Sequence, residues 1–261
     1  AKGTPEVSKI LAQFPSSPVA IPLRVTIESD NPAFALALAE NAMSDLFLAM
    51  NLASPGCFDT GYSRFHVGTS RAAEFKLFYS SYYFEIGLLE GDEGAWPSPI
   101  RIPFDTVWEW FLKVRDQHKL IPRSRTERTL FAILHLCRRM FTSPESIVWL
   151  FYALESLLDT KPGENRAYVL SRAALMLAPD QAQLGEMKKL LKVLYDLRSS
   201  FVHGGFEVAH PLASGTLDDR VDAQYDRLMR ASDFGFRLLL CLVQTMIMEG
   251  RTDLEFSEVL K

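Results

Sequence analysis

The chain has 261 residues, with 28 Lys and Arg against 32 Asp and Glu, a formal charge of −4. Its 48% hydrophobic and 23% charged content is that of an ordinary folded protein, which excludes a disordered tail, a collagen-like fibre and a disulfide scaffold. An acidic total also disfavours non-specific coating of nucleic acid, so any polyanion must be met by a local patch.

Three distant cysteines, Cys57, Cys137 and Cys241, form no CxxC pair and are expected to be free thiols in a reducing compartment. The start of the chain lacks a basic segment followed by a long apolar core. The apolar run Phe236 to Met248 is short and interrupted by Arg237 and Gln244. The expectation is a cytoplasmic protein that does not enter a membrane.

Residues 1–17 are polar and read as a loose lead-in. Val19 to Ile27 is rich in β-branched residues and predicts a strand, at a sheet edge because of Pro22. Asn31-Pro32 opens an Ala- and Leu-rich stretch from Phe34 to Leu52, which predicts a helix. From Cys57 to Leu89, aromatic runs such as FKLFYSSYYFEI lie between Gly61, Gly68 and Gly87, and predict strands. Glu90 to Pro99 reads as a loop, and Phe104 to Gln117 as a helix.

Beyond Arg123 strand signals vanish. Five helices are predicted, over about 125–141, 144–158, 164–178, 181–203 and 219–249. Ser143-Pro144, Pro162-Gly163, Pro179 and Gly204-Gly205 punctuate them. The expected fold class is therefore α+β: a mixed α/β region over 1–120, of unassigned role, and an all-α bundle over 121–261. The charge follows a similar division, with 10 basic and 14 acidic residues in 1–120 and 18 of each in 121–261. Lys113 to Arg139 is the most basic stretch, read as a solvated face or as a phosphate-contacting patch.

No phosphate-binding loop, dinucleotide fingerprint, zinc-protease motif or nucleophile elbow is present. His66, His118 and His135 lie at no metal-ligand spacing and read as surface or packing residues, so neither a metal nor a cofactor is expected. Chemistry concentrates in the fourth of the five helices, LGEMKKLLKVLYDLRSSFVHGG. Its apolar stripe is Leu184, Met187, Leu191, Leu194 and Phe201, and Arg198 falls on that stripe by spacing. An arginine there needs a partner. One reading is a buried ion pair that staples the bundle. The other is a phosphate-binding guanidinium working with His203, five residues on, as proton-transfer group. On an ideal helix the two are roughly 140° apart, so their convergence needs an unwound helix end or a second subunit.

The string Tyr195 to Gly205, YDLRSSFVHGG, resembles the signature of the HEPN superfamily, Arg-x4-6-His near the end of a long helix. It most resembles the Apea-like branch, close to YxxRSxxxHG. Upstream, WLFYALESLL places Glu155 and RAYVLSRAALML places Arg172 in apolar helices, as that branch does. The match covers roughly 125–250, about half the chain. The resemblance implies a helical bundle that forms a homodimer, with two Arg-His motifs at a shared cleft. It implies a metal-independent endoribonuclease in phage defence, toxin or RNA-processing contexts. Arg198 and His203 would be catalytic, with Tyr195, Ser199, Glu155 and Arg172 in support. Many active members carry Asn, Asp or His where Ser199 stands here. Other members bind RNA, a nucleotide or a partner protein without cutting, and that reading stays open, as does a scaffold in which Arg198 and Glu155 only pair internally; Glu155 is expected to pair with Arg172 or with Arg198.

Overall fold

The computed structural model describes residues 27, 30–60, 63–65, 73–75, 78–116, 119–138, 142–160, 165–210, 212, 215 and 217–256. The strand expected at 19–27 lies, except for residue 27, outside the described residues, as do His66 and His118. Eight helices are described: α1 (Pro32–Ala53), α2 (Tyr82–Asp92), α3 (Phe104–Val114), α4 (Arg125–Cys137), α5 (Pro144–Leu157), α6 (Asn165–Leu177), α7 (Gln181–Val202) and α8 (Arg220–Met248). Two strands of three residues, β1 (Ser63–Phe65) and β2 (Ala73–Phe75), pair antiparallel with Ser63 opposite Phe75.

The expected α+β class is therefore corrected: the described chain is all-α with one minimal hairpin. The aromatic segment read as strands shows why. Tyr83, Phe84, Gly87, Leu88 and Gly91 are the buried residues of α2, and their spacing is that of a helix face. β-propensity there reflects bulk and apolarity, and burial against α8 overrides it. Phe84 meets Phe236 edge-on at 4.9 Å and Tyr83 stacks on the same ring at 5.2 Å.

The chain packs as two units, Ala1–Ala39 and Glu40–Lys261, with the division inside α1. In the first, Asn31 caps α1 by accepting hydrogen bonds from the backbone N–H groups of Ala33 (3.0 Å) and Phe34 (3.3 Å). In the second, the expected boundary near 120 falls within continuous packing: one core joins residues such as Phe47, Phe84 and Phe111 with Phe151, Leu194 and Leu239.

The five C-terminal helices form within a few residues of expectation because their ends carry strong signals. Ser124 accepts from Glu127 N–H at 3.0 Å. Ser143 and Ser146 cap α5 reciprocally, with Pro144 in its first turn. Asp180 and Gln183 form a capping box on α7. Gly204, at φ +76°, takes the left-handed conformation that ends α7, and the amides of Gly205 and Phe206 turn back to Ser200 O at 2.7 and 3.0 Å.

α8 is the axis of the bundle, packed against α2, α3, α5, α6 and α7. By length and composition α1 (from Ala33) and α8 could each cross a membrane, but 89% of the apolar window of α8 is buried inside the protein. The apolar run at 236–248 is thus largely buried within the chain, with Met248 at its end exposed. Its polar residues find partners as well, except that the buried Nε of Arg237 has none among the described residues. Gln244 Nε2 donates to Leu52 O (3.0 Å) and Ile100 O (2.7 Å), and its Oε1 accepts from Ile100 N–H at 2.9 Å. Arg237 pairs with Glu90.

Candidate functional site

α7 carries the motif. Met187, Leu191, Leu194 and Leu197 are its buried line, whereas Leu184, expected on that line, is exposed. The line passes through Leu197, one position before Arg198, so the guanidinium stands at its edge. Arg198 is half-buried, with its Cζ 5.9 Å from the centre of the Phe151 ring. Tyr195, one turn earlier, meets the same ring edge-on at 5.6 Å. Tyr195, Arg198 and Phe151 therefore form one cluster between α5 and α7. Among the described residues no carboxylate pairs with Arg198. The internal staple expected as one reading of this arginine does not hold it.

His203 caps the C-terminus of α7, its N–H donating to Ser199 O at 3.0 Å, and its side chain is exposed. Ser199 is half-buried between them. Along the helix axis Arg198 and His203 are roughly 7.5 Å apart.

Glu155 is half-buried one turn after Phe151. Arg172 is buried elsewhere. Its Nη1 donates to Leu158 O at 2.6 Å and to Asp159 O, at the C-terminal end of α5. Its Cζ lies 4.7 Å from the Tyr168 ring and 4.5 Å from the Phe256 ring. The partial negative charge of a helix C-terminus and two ring faces compensate its burial. Leu158 is two turns beyond Phe151, roughly 10 Å along α5. Arg172 therefore acts by locking α6 and the segment at Phe256 to α5, away from the motif.

The basic stretch resolves into three kinds of arginine. Arg115 is buried and fully committed: its Nε contacts Asp45 Oδ1 at 3.0 Å, Nη1 lies 3.5 Å from Glu127 Oε1, and Nη2 donates to Asn41 at 2.7 Å. Burial outweighs this arginine and pushes the Asp45 carboxyl up to about 6. Arg123 and Arg125 are engaged with Asp116 (2.9 Å) and with Asp159 (2.7 Å) and Asp253 (3.3 Å). Arg128 and Arg138 are exposed and, among the described residues, have no carboxylate partner. The phosphate-contacting reading of this stretch therefore survives only for its exposed members.

A cleft of about 1140 Å³ lies beside the end of α7, between Leu197 and Ser200, the segment through Phe206 and His210, and Arg220 and Arg227 of α8. Neither Arg198 nor His203 lines it. Asp196 and Ser200, which do, are two positions either side of Arg198 and so face the opposite way. Sequence reading passed over this cleft because a loop builds one wall, and the loop's residues show no pattern of their own. It also passed over Asp233, a buried carboxyl on α8 whose Oδ1 has no hydrogen-bond partner among the described residues. Burial pushes that carboxyl up to about 7.

Among the described residues, no three His, Cys, Asp or Glu side chains are grouped as a metal site requires. No protein-family model matches the chain, and neither the curated proteins nor the solved structures match it.

Proposed function

We propose that this chain is a HEPN-type module in which Arg198 and His203 cut RNA without a metal or cofactor. The supporting observation is the state of Arg198: half-buried against Phe151, close to the helix end, with no carboxylate pairing among the described residues. A guanidinium so placed suits an anionic ligand, and a phosphate fits its planar fork. His203, exposed just past the helix, supplies a group that can move a proton.

In the reaction the ribose 2′-hydroxyl attacks the adjacent phosphorus. The P–O2′ bond forms, the P–O5′ bond breaks, and the leaving 5′-oxygen takes a proton. Arg198 holds the phosphate and offsets the charge that develops on it. His203 accepts or donates the proton. Because the two side chains point roughly 140° apart on one helix, the complete site is assembled in a homodimer that brings two motifs to one cleft. The proposed setting is the cytoplasm.

The test is incubation of RNA with the wild-type protein in EDTA. The expected products end in a 2′,3′-cyclic phosphate, an all-DNA strand stays intact because it lacks the attacking hydroxyl, and His203→Ala loses about 10²–10⁴ in rate. Cleavage of DNA at a comparable rate, or full activity in His203→Ala, overturns the reading.

A second reading, a module that binds RNA, a nucleotide or a partner protein without cutting, has its own support in the cleft that excludes both motif residues. Under it, RNA survives the same incubation.

A further inference from the structure

The outward side of α4 and α5 carries a cluster of packed rings. His135 of α4 stacks on Trp149 of α5, with ring centres 4.1 Å apart and planes 4° from parallel. Tyr152, one turn further along α5, stands edge-on to Trp149 at 6.1 Å. His135 is exposed and Tyr152 is 42% exposed, so the set reaches solvent. The stacked pair bridges two helices that the core already holds together, for example through Thr129 Oγ1 donating to Ala153 O at 3.2 Å. These rings are therefore fixed in place before anything binds them.

Arg128 and Arg138 lie on the same side of α4 as His135, seven residues before it and three after. Both are exposed and have no carboxylate partner among the described residues, in contrast to Arg115, Arg123 and Arg125 close by. They stand roughly 15 Å apart along the helix, with the rings between them. Partial burial and the positive charge of Arg138 hold the His135 ring below the usual imidazole range, so at neutral pH it is an uncharged stacking surface.

Rings open to solvent with uncompensated guanidinium groups at both ends match one ligand chemistry. A strand of nucleotides offers flat bases for the rings and phosphates for the arginines. An apolar protein surface would desolvate the same arginines and give nothing back. A duplex hides its base faces inside the stack and cannot use the rings.

We propose that this face, with Tyr152 and the His135–Trp149 stack between Arg128 and Arg138, binds single-stranded RNA by base stacking and phosphate neutralisation. The choice of RNA rests on the function proposed above. The single strand and the stacking rest on this surface alone.

The experiment is fluorescence anisotropy of the full chain with a labelled 2′-O-methyl oligouridylate, which attack by a 2′-hydroxyl cannot cut, and with a hairpin duplex. The single strand is expected to bind at least ten-fold more tightly than the duplex. Tyr152→Ala is expected to weaken it about ten-fold, with the ring-preserving Tyr152→Phe restoring affinity. The Arg128→Ala/Arg138→Ala variant is expected to lower the slope of log affinity against log salt by about 1.4, two phosphates' worth. Wild-type protein that binds this strand yet cuts no RNA supports this face while counting against the cleavage mechanism. Equal affinity for strand and duplex, or Tyr152→Ala and the double arginine variant both binding like wild type, overturns the proposal. A dimer that Tyr152→Ala dissociates while strand binding stays unchanged also overturns it, and assigns the face to a second copy of the chain.

Discussion

Arg198 lies with its guanidinium carbon 5.9 Å from the centre of the Phe151 ring, and that ring, rather than a carboxylate, is what it rests on. A partly exposed cation–ring contact contributes about 0.5–1 kcal/mol. A buried ion pair broken on one side would cost about 3–5 kcal/mol. Arg198→Ala is therefore expected to lower the melting temperature by only a few degrees while abolishing RNA cleavage. Arg198→Lys should keep the stability and still be impaired, since a point charge does not reproduce the planar fork. Thermal melts run beside the cleavage assay check this; a large loss of stability in Arg198→Ala would make the residue a staple.

Arg115 has the opposite character. It is buried between Asp45 and Glu127, with Asn41 on its third nitrogen. Arg115→Ala leaves two carboxylates in the core without their cation, and a cost on the order of 3–5 kcal/mol is expected. Urea unfolding measures it. A variant as stable as wild type would mean that water reaches this cluster.

Stability should fall as pH rises from acid to neutral. Asp233 has its folded-state value raised to about 7 by burial, and Asp45 its own to about 6, by burial that Arg115 only partly opposes. In each case the folded chain keeps a proton that the unfolded chain, with an ordinary carboxyl, has already lost. The stabilisation is complete below about pH 4 and is lost as pH rises through about 6 for Asp45 and about 7 for Asp233. Asp233→Asn should flatten the upper part of this dependence and gain stability relative to wild type at pH 8. Urea midpoints at pH 5 and pH 8 test the sign; equal slopes in wild type and variant would place the carboxyl in water.

Gly235 sits where α8 crosses α5 and α7. A β-carbon there would stand 2.6 Å from Leu150 Cδ2 and 2.9 Å from Leu194 Cδ2, and both leucines are buried in the core. Alanine is the better helix former by about 1 kcal/mol, but overpacking a filled core costs about 1–3 kcal/mol. Gly235→Ala is expected to lose up to about 2 kcal/mol on balance, seen as a lower melting temperature with no change in RNA binding. A stabilised variant would show that the three helices separate freely at this point.

The starts of α4, α5 and α7 and the end of α7 were legible because residues there act locally. Ser124, Ser143, Asp180 and Gly204 satisfy or terminate backbone hydrogen bonding within a few positions of themselves, so their effect can be read without knowing the fold. The placement of Arg198 on α7 and of His203 at its end was legible for the same reason: spacing, helix and helix end all lie within one segment. Tertiary structure decided the rest. Tyr82 to Asp92 became a helix because its 83, 84, 87, 88 face found α8, more than 140 residues away. Arg115, Arg125 and Arg128 look alike in sequence, and only long-range contacts determine which is buried against Asp45, which is tied to Asp253, and which is left facing solvent. Arg172 looked like a partner for a carboxylate, and packing placed it on the carbonyl end of α5. A side chain's type and spacing establish which partners it can accept, but its burial and its neighbours come from segments far away in the chain, and with them the charge it carries.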